Sequence, residues 1–434
     1  MSSPIACSQS IQPLTEFKFV ESLPYVNLDE SLSQEIREGH APTQSTTPIS
    51  INVYSGTKDG PDGYFHNGPY PNICQYISSS QERAELAGSF LTKYSDHQTS
   101  TWSYNIIHNL GKHFGKFSVT ALGNGSNSSA FLMQQEGAQT KSVLRTFSIG
   151  KLRHDRLKKA YQLNRDHVGG EWLSTTFNHP NIATNSHLVV WDSLDNSFKI
   201  MNQNEVRLLI DNRHTLEEGR QLYAVATIGD YVEGSQDLDR FIRSTPDRSE
   251  KMLRDILRNI FEGVTELHQN HVVHRDLKAA NTILLPSGQA KIIDFGCAGA
   301  HTSGENLPVF GDRKVHPHES HHPVGNTPAH TNVKTDSYSL FLLTYRFATG
   351  SYFFGDKATA EEIKGKQSQL FNQETSKNFR ELLEENPKLA HVSPALKDLM
   401  SQLGTSNEAQ RITAEQALTH PFFADRQVEQ LPAA

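Results

Sequence analysis

Cysteine is scarce: Cys7, Cys74 and Cys297 are the only three in 434 residues, and none stands in a C-x-x-C spacing. That excludes a disulfide framework and a cysteine-built zinc site, and makes a reducing compartment, the cytoplasm, the expected home. Long hydrophobic runs are lacking as well, and no basic stretch followed by an apolar one opens the chain. Neither a membrane-spanning helix nor a classical signal peptide is therefore expected. Charge of one sign is also missing, since 41 Lys and Arg are interspersed with 48 Asp and Glu for a net charge of −7. That balance provides no basic footprint for nucleic acid and no polybasic patch for a membrane. The chain shows no internal repeat, and its composition leaves the oligomeric state open.

What is present divides into blocks. Residues 1–80 are rich in Ser, Thr, Pro, Gln, Asn and Gly, with too little apolar surface to offset chain entropy, so a flexible region is expected there. In residues 81–115, Leu86, Phe90, Leu91, Tyr94, Trp102, Ile106, Ile107 and Leu110 recur at partly helical spacing, which predicts a helical lead-in. Residues 116–233 read as strand-rich. Strands are expected at Lys116–Leu122, Ala130–Met133, Ser142–Phe147, Leu188–Trp191, Phe198–Met201, Val206–Ile210 and Leu222–Ile228. A polar, basic stretch from Lys151 to Gly169 precedes a helix ending near Asn178. Residues 234–424 turn helical, most clearly over Ser249–Gln269, where Leu253, Ile256, Leu257, Ile260, Val264 and Leu267 repeat at three and four. Further helices are expected at Ser337–Thr349, Ser376–Glu385, Pro394–Leu403 and Thr413–Leu418, before a tail at 425–434. The class is α+β, with the change of character near residue 233.

The chemistry concentrates in His274-Arg275-Asp276-Leu277-Lys278-Ala279-Ala280-Asn281, followed by apolar Ile283–Leu285, a turn at Ser287-Gly288, and Lys291-Ile292-Ile293-Asp294-Phe295-Gly296. Phosphoryl transfer needs a carboxylate beside the attacking hydroxyl and oxygen ligands for the metal ions that bridge the phosphates. Asp276 suits the first role. Asn281 and Asp294 suit the second, and Lys278 can neutralise charge on the transferred group. A loop followed by a buried hairpin explains the apolar pattern but not the joint choice of these polar residues.

This stretch resembles the eukaryotic-type protein kinase family, and the resemblance covers roughly residues 116–424. It implies a bilobal fold, with a small antiparallel β-sheet lobe ahead of a larger helical lobe. It also implies ATP with Mg2+ or Mn2+ as cofactors and a protein substrate. Lys278 accompanies Ser/Thr rather than Tyr transfer in that family. Arg275 before the catalytic Asp resembles kinases whose activation loop is ordered by a phosphate, with Thr302 and Ser303 as candidate acceptors.

Other family positions are met only in part. The nucleotide-covering loop runs Leu122-Gly123-Asn124-Gly125-Ser126-Asn127-Ser128-Ser129-Ala130, with two of the three family glycines and Ser128 in the third place. Twenty residues on from Gly125, the family's phosphate-reaching Lys is Arg145, a planar fork in place of a compact ammonium. Glu171 is the candidate ion-pair partner on the following helix, ahead of His179-Pro180-Asn181-Ile182. The interlobe hinge falls at Asp230-Tyr231-Val232-Glu233-Gly234, with Asp230 and Val232 beside the adenine, and Ile283 lies in the nucleotide site. Glu319 is expected to pair with Arg411, and Asp336 to brace the catalytic loop or cap its helix. The histidines at 316, 318, 321, 322 and 330 lack a carboxylate or cysteine shell and read as solvated loop residues rather than a metal site. Cys297 reads as a packing residue. The altered Ser128 and Arg145 keep open a nucleotide-binding scaffold without turnover, and a kinase-like fold moving AMP instead. The polar leader also resembles those of bacterial effectors delivered into host cells.

Overall fold

The computed structural model describes residues 50–53, 110, 113–114, 117–124, 128–135, 137–147, 159–195, 197–300, 306–323, 327–373 and 379–424. At Ser50–Val53 a strand stands where a flexible region is expected, and the expectations for the rest of the leader, most of the helical lead-in, Gly125, Thr302, Ser303 and the tail lie outside the described residues.

The first lobe is an antiparallel sheet. Its strands are β1 (Ser50–Val53), β2 (Phe117–Asn124), β3 (Ser128–Gln135), β4 (Lys141–Phe147), β6 (Asn185–Asp192), β7 (Ser197–Asn202) and β8 (Leu222–Asp230), and they run in the order β1-β2-β3-β4-β8-β6-β7. Two further residues, β5 (Gln162–Leu163), pair with β8. β1 adds an edge strand from within the polar leader, pairing Ser50 with Thr120 through Val53 with Phe117. Between β2 and β3 the register slips by one residue at Leu122, a bulge that leaves this side chain exposed. One face of the sheet packs Phe147, Leu188, Val190 and Leu222 against Trp172 and Tyr161.

The expected strand at Val206–Ile210 is instead helical. It belongs to α2 (Gln203–Asp211), which follows the short α1 (Gly170–Ser174). Asn202 caps the nitrogen of Glu205 while the Glu205 side chain returns to the Asn202 nitrogen. That reciprocal cap satisfies two otherwise orphaned donors, and its Asn-x-x-Glu signature outweighs the β-branched Val206. Val206 alone among the helix's residues is buried, so packing onto the β6–β7 hairpin settles the helix as one-sided.

The second lobe begins with α3 (Leu238–Ser244) and α4 (Glu250–Gln269). In α4 a Ser249 cap and an apolar stripe from Leu253 to Leu267 form and bury the helix. α5 (Val333–Thr349) is buried nearly all round, as befits the central rod of the lobe, and Gly350 closes it at φ 72°. α6 (Ala360–Gln373), which the apolar pattern did not foretell, α7 (Phe379–Glu384), α8 (Pro394–Gly404) and α9 (Ala414–Leu418) complete it. One core joins α4, α5, α8 and α9 to Leu277, Ile292 and Phe295, so the residues flanking the chemistry are fixed by the main apolar cluster among the described residues of this lobe. This is the bilobal α+β arrangement.

Candidate active site

The loop that carries Asp276 leaves the strand Val272–Val273 through an unusual backbone. Arg275 sits at φ 63°, a left-handed conformation that costs a non-glycine residue strain. Asp336, fully buried in the first turn of α5, holds the strained turn. Its carboxylate accepts from the backbone nitrogens of His274 at 2.8 Å and Arg275 at 2.9 Å, and from His268 Nε2 at 2.9 Å. Burial pushes the Asp336 carboxyl up, but the bond and charge of His268 and the bond from the His274 amide outweigh it, leaving it below the usual carboxylate range. Asp336 thus braces the loop and does not cap its helix: the cap of α5 is Asn332, whose side chain accepts from Lys334 N at 2.8 Å.

His274 is also fixed at both nitrogens. Nδ1 accepts from the Asp276 amide at 3.3 Å, and Nε2 donates to the Ile293 carbonyl at 3.1 Å. This one ring ties the Asp276 loop to the Asp294 segment.

Asp276, Lys278 and Asn281 come together as expected. Asn281 Nδ2 donates to the Asp276 carbonyl and to Asp276 Oδ2, both at 2.9 Å, and Lys278 Nζ lies 3.1 and 3.0 Å from the two Asp276 oxygens. Burial raises the Asp276 carboxyl above its ordinary value even though Lys278 opposes the shift, which strengthens it as a proton acceptor. Lys278 is raised in turn. Burial lowers it, but Asp276 and then Asp312 and Asp294 more than compensate. Asp312, 3.6 Å from Lys278 Nζ, is a member of the cluster that nothing in the sequence motif flagged.

Asp294 lies at φ 66°, and its Oδ1 accepts from Gly296 N at 3.4 Å. With the Asn281 amide nitrogen committed to Asp276, the hard oxygen donors here are Asn281 Oδ1 and the Asp294 carboxylate, whose Oδ1 also accepts from Arg145 Nη2. That set fits a Mg2+-like ion, which takes oxygen ligands and few protein groups.

The two departures from the family pattern meet each other. Arg145, opposite Ala130 in the β3–β4 ladder, donates from Nε to Ser128 Oγ at 3.0 Å and from Nη2 to Asp294 Oδ1 at 2.5 Å. Nη1 lies 3.2 Å from Glu171 Oε1. A glycine at 128 has no acceptor to offer, and a lysine at 145 has no Nε. Burial acts to lower the Arg145 guanidinium, but Glu171 and Asp294 raise it well above its ordinary value. The charge is therefore permanent, and Asp294 is held below the usual carboxylate range by Arg145 against the opposing effect of burial.

Glu171 is fully buried, and both its oxygens lack a hydrogen bond because Arg145 Nη1 is close but poorly aligned. Burial therefore pushes its carboxyl up to about 7, with Arg145 opposing and Asp294 adding to the rise. Glu171 reaches this position because α1 lies almost against the Asp294-Phe295-Gly296 turn. A Cβ on Gly170 would stand 1.9 Å from the Phe295 carbonyl oxygen, so this contact requires glycine. Gly169-Gly170 is the one sequence signal that could have revealed it.

The remaining expected positions scatter around the cleft. Gly123 pairs with Ala130, exposed Leu122 sits at the bulge, and Asp230 ends β8 beside the exposed Val232. Ile283 lies on the strand Thr282–Leu284 between Lys291 and Asp237. Arg411 and Glu319, both buried, pair at 2.6 Å. Burial pushes the Cys297 thiol up to about 12, as suits a packing residue. The histidine expectation needs correction: His316 is buried with Nε2 2.7 Å from the Arg275 carbonyl, and His330 is buried against Glu408 at 3.2 Å. They are solvent-free tethers for the segment, and among the described residues no group of three His, Cys, Asp or Glu could hold a metal. Arg275 donates from Nε to the Cys297 carbonyl at 2.7 Å and from Nη1 to the Pro308 carbonyl at 3.1 Å, which ties the loop to the segment after Asp294.

Residues 119–423 match the family described as protein kinase domain. Over 236 residues the chain is 30% identical to myosin light chain kinase 2, skeletal/cardiac muscle, of Rattus norvegicus, covering 52% of this chain and 34% of that protein. It is 28% identical over 244 residues to human myosin light chain kinase family member 4, covering 55% and 57%. Serine/threonine-protein kinase 17A of Oryctolagus cuniculus shares 29% over 208 residues, 46% and 48% of the two chains. The chain thus spans between a third and somewhat over half of these relatives' lengths. With the braced Asp276 loop and the bilobal frame, this match identifies the chain as a member of the protein kinase family.

Proposed function

We propose that the chain transfers the γ-phosphoryl group of ATP to Ser or Thr hydroxyls of a protein, with Mg2+ or Mn2+. The observation that carries this reading is the closed hydrogen-bond set of Asp276, Lys278 and Asn281. Asp276, raised by burial, accepts the proton of the attacking hydroxyl. Lys278, alongside it, offsets charge on the moving phosphoryl group. Asn281 Oδ1 and Asp294 would hold the metal, which would supply neutralisation of phosphate charge. Arg145, anchored by Ser128, presents a fixed cation at the phosphate side of the cleft.

The test is transfer of labelled phosphate from ATP to a generic protein substrate, with phosphoamino-acid identification. Asp276→Asn is expected to lower kcat by about 10²–10⁴-fold. Incorporation of AMP mass in place of phosphate, or no transfer with either metal, rejects the assignment. One observation favours a second reading, a nucleotide-binding scaffold: Arg145 Nη2 holds the Asp294 oxygen that a metal would need. Nucleotide binding without transfer in both the parent and Arg145→Lys would support it.

A further inference from the structure

α1 carries Glu171 to Arg145, yet it has only five residues, and a helix that short does not hold itself together in water. Its N-cap, Gly169, offers no side chain to the first turn. The position of Glu171 is therefore set by what surrounds α1. Gly170 presses on the Phe295 carbonyl, and the fully buried Trp172 joins Leu188 and Val190 of β6, Met201 of β7 and Val206 of α2 in one apolar cluster.

Two polar tethers run from α2 to the same short helix. Arg207 Nη2 donates to the Thr176 carbonyl, just past the end of α1, at 2.6 Å, a bond assisted by the charge of the guanidinium. The second tether is a relay. Gln203 Nε2 donates to the Asn185 carbonyl at 3.1 Å, Asn185 Nδ2 to Ser174 Oγ at 2.9 Å, and Ser174 Oγ to the carbonyl of Glu171 itself at 2.8 Å. The Ser174 hydroxyl spends its proton on Glu171 and a lone pair on Asn185, so both bonds form at once. Gly229, opposite Asn185 in β8, leaves room for that side chain, since a Cβ there would stand 3.0 Å from Asn185 Oδ1. The Asn202–Glu205 reciprocal cap fixes the end of α2 from which both tethers start.

We propose that the β7–α2 segment, Ser197–Asp211, is a clamp on α1, with Arg207 and Gln203 as positioning residues that set Glu171 against Arg145 and so prepare the phosphate side of the cleft. The inference rests on the protein-kinase reading above and adds to it two residues outside the catalytic motifs. Arg207 is exposed, so truncating it leaves the apolar cluster intact. In the full chain with ATP and Mg2+, Arg207→Ala is expected to raise KM for ATP about three- to tenfold, as befits one hydrogen bond from a charged donor, while KM for a peptide substrate moves less than about twofold. Arg207→Lys keeps a cationic donor for the Thr176 carbonyl and is expected to restore KM for ATP to within about twofold of the parent. In a Glu171→Gln background, Arg207→Ala is expected to add less than about twofold, because the carboxylate that it positions is gone. Gln203→Ala is expected to shift KM for ATP in the same direction by a smaller factor, and thermal melts check that each variant folds. An unchanged KM for ATP in both Ala variants, an equal rise in both KM values, or an Arg207→Ala effect as large in the Glu171→Gln background as in the parent overturns the clamp alone. If the parent transfers no phosphate, the kinase reading falls, and the clamp is judged on the rise in Tm with ATP and Mg2+: a smaller rise in Arg207→Ala sustains it and an equal rise overturns it as well.

Discussion

Arg145→Lys keeps the charge and removes the fork. Arg145 meets three partners with three nitrogens: Ser128 Oγ at 3.0 Å, Glu171 Oε1 at 3.2 Å and Asp294 Oδ1 at 2.5 Å. A single ammonium cannot span them, and it has no counterpart to Nε. A hydrogen bond to a charged group contributes about 1.5–3 kcal/mol. With the Arg145 side chain 21% exposed, the lower end applies. Loss of about 1.5 kcal/mol from the positioning of the cation is roughly tenfold in kcat/KM for ATP. Ser128→Gly, which restores the family's glycine, removes the acceptor and is expected to cost several-fold when Arg145 is present. Introduced on top of Arg145→Lys it should cost almost nothing, a coupling of about 1 kcal/mol. Initial rates against ATP at saturating peptide, for the parent, both single variants and the double variant, measure the cycle. The reasoning is refuted if Arg145→Lys matches or exceeds the parent, or if the two changes add within about 0.3 kcal/mol. A gain would show that the grip of Arg145 on Asp294 suppresses catalysis.

Three other outcomes follow from single contacts. Arg411→Ala leaves Glu319 charged and buried and should destabilise the chain by about 3–5 kcal/mol in chemical denaturation, while Arg411→Met with Glu319→Leu should recover most of the loss. Gly170→Ala must push α1 off the Phe295 carbonyl, costing about 1–3 kcal/mol and weakening metal-nucleotide binding, read as a smaller rise in Tm on adding ATP with Mg2+. Glu171, raised from 4.5 to about 7, binds more protons folded than unfolded, so its contribution is complete below pH 4.5 and is lost as pH rises through 7. Glu171→Gln should therefore flatten the fall of Tm with pH across that window, and an unchanged slope would mean that Glu171 is ionised throughout.

The sequence alone determined which polar residues gather at the Asp276 loop and the class of the fold. Asp276, Lys278, Asn281 and Asp294 are read from spacing because phosphoryl transfer constrains residue type at short separations. The helix at Ser249–Gln269 is read from its apolar stripe because its burial is one-sided. Local signals failed where two of them conflicted, as at Val206–Ile210, where an Asn202 cap overrode a strand-like composition. Periodicity also failed at α6, whose apolar stripe is weak. Tertiary structure decided what lies between distant segments. Ser128 and Arg145 each read as a defect along the chain, yet adjacent strands turn them into acceptor and donor. Asp312 joins Lys278, and Gly170 admits Glu171 to the site, through contacts between segments far apart in the chain. The Arg207 tether exists only because α2, packed on the β6–β7 hairpin, reaches the end of α1, and a linear pattern carries no record of such an approach.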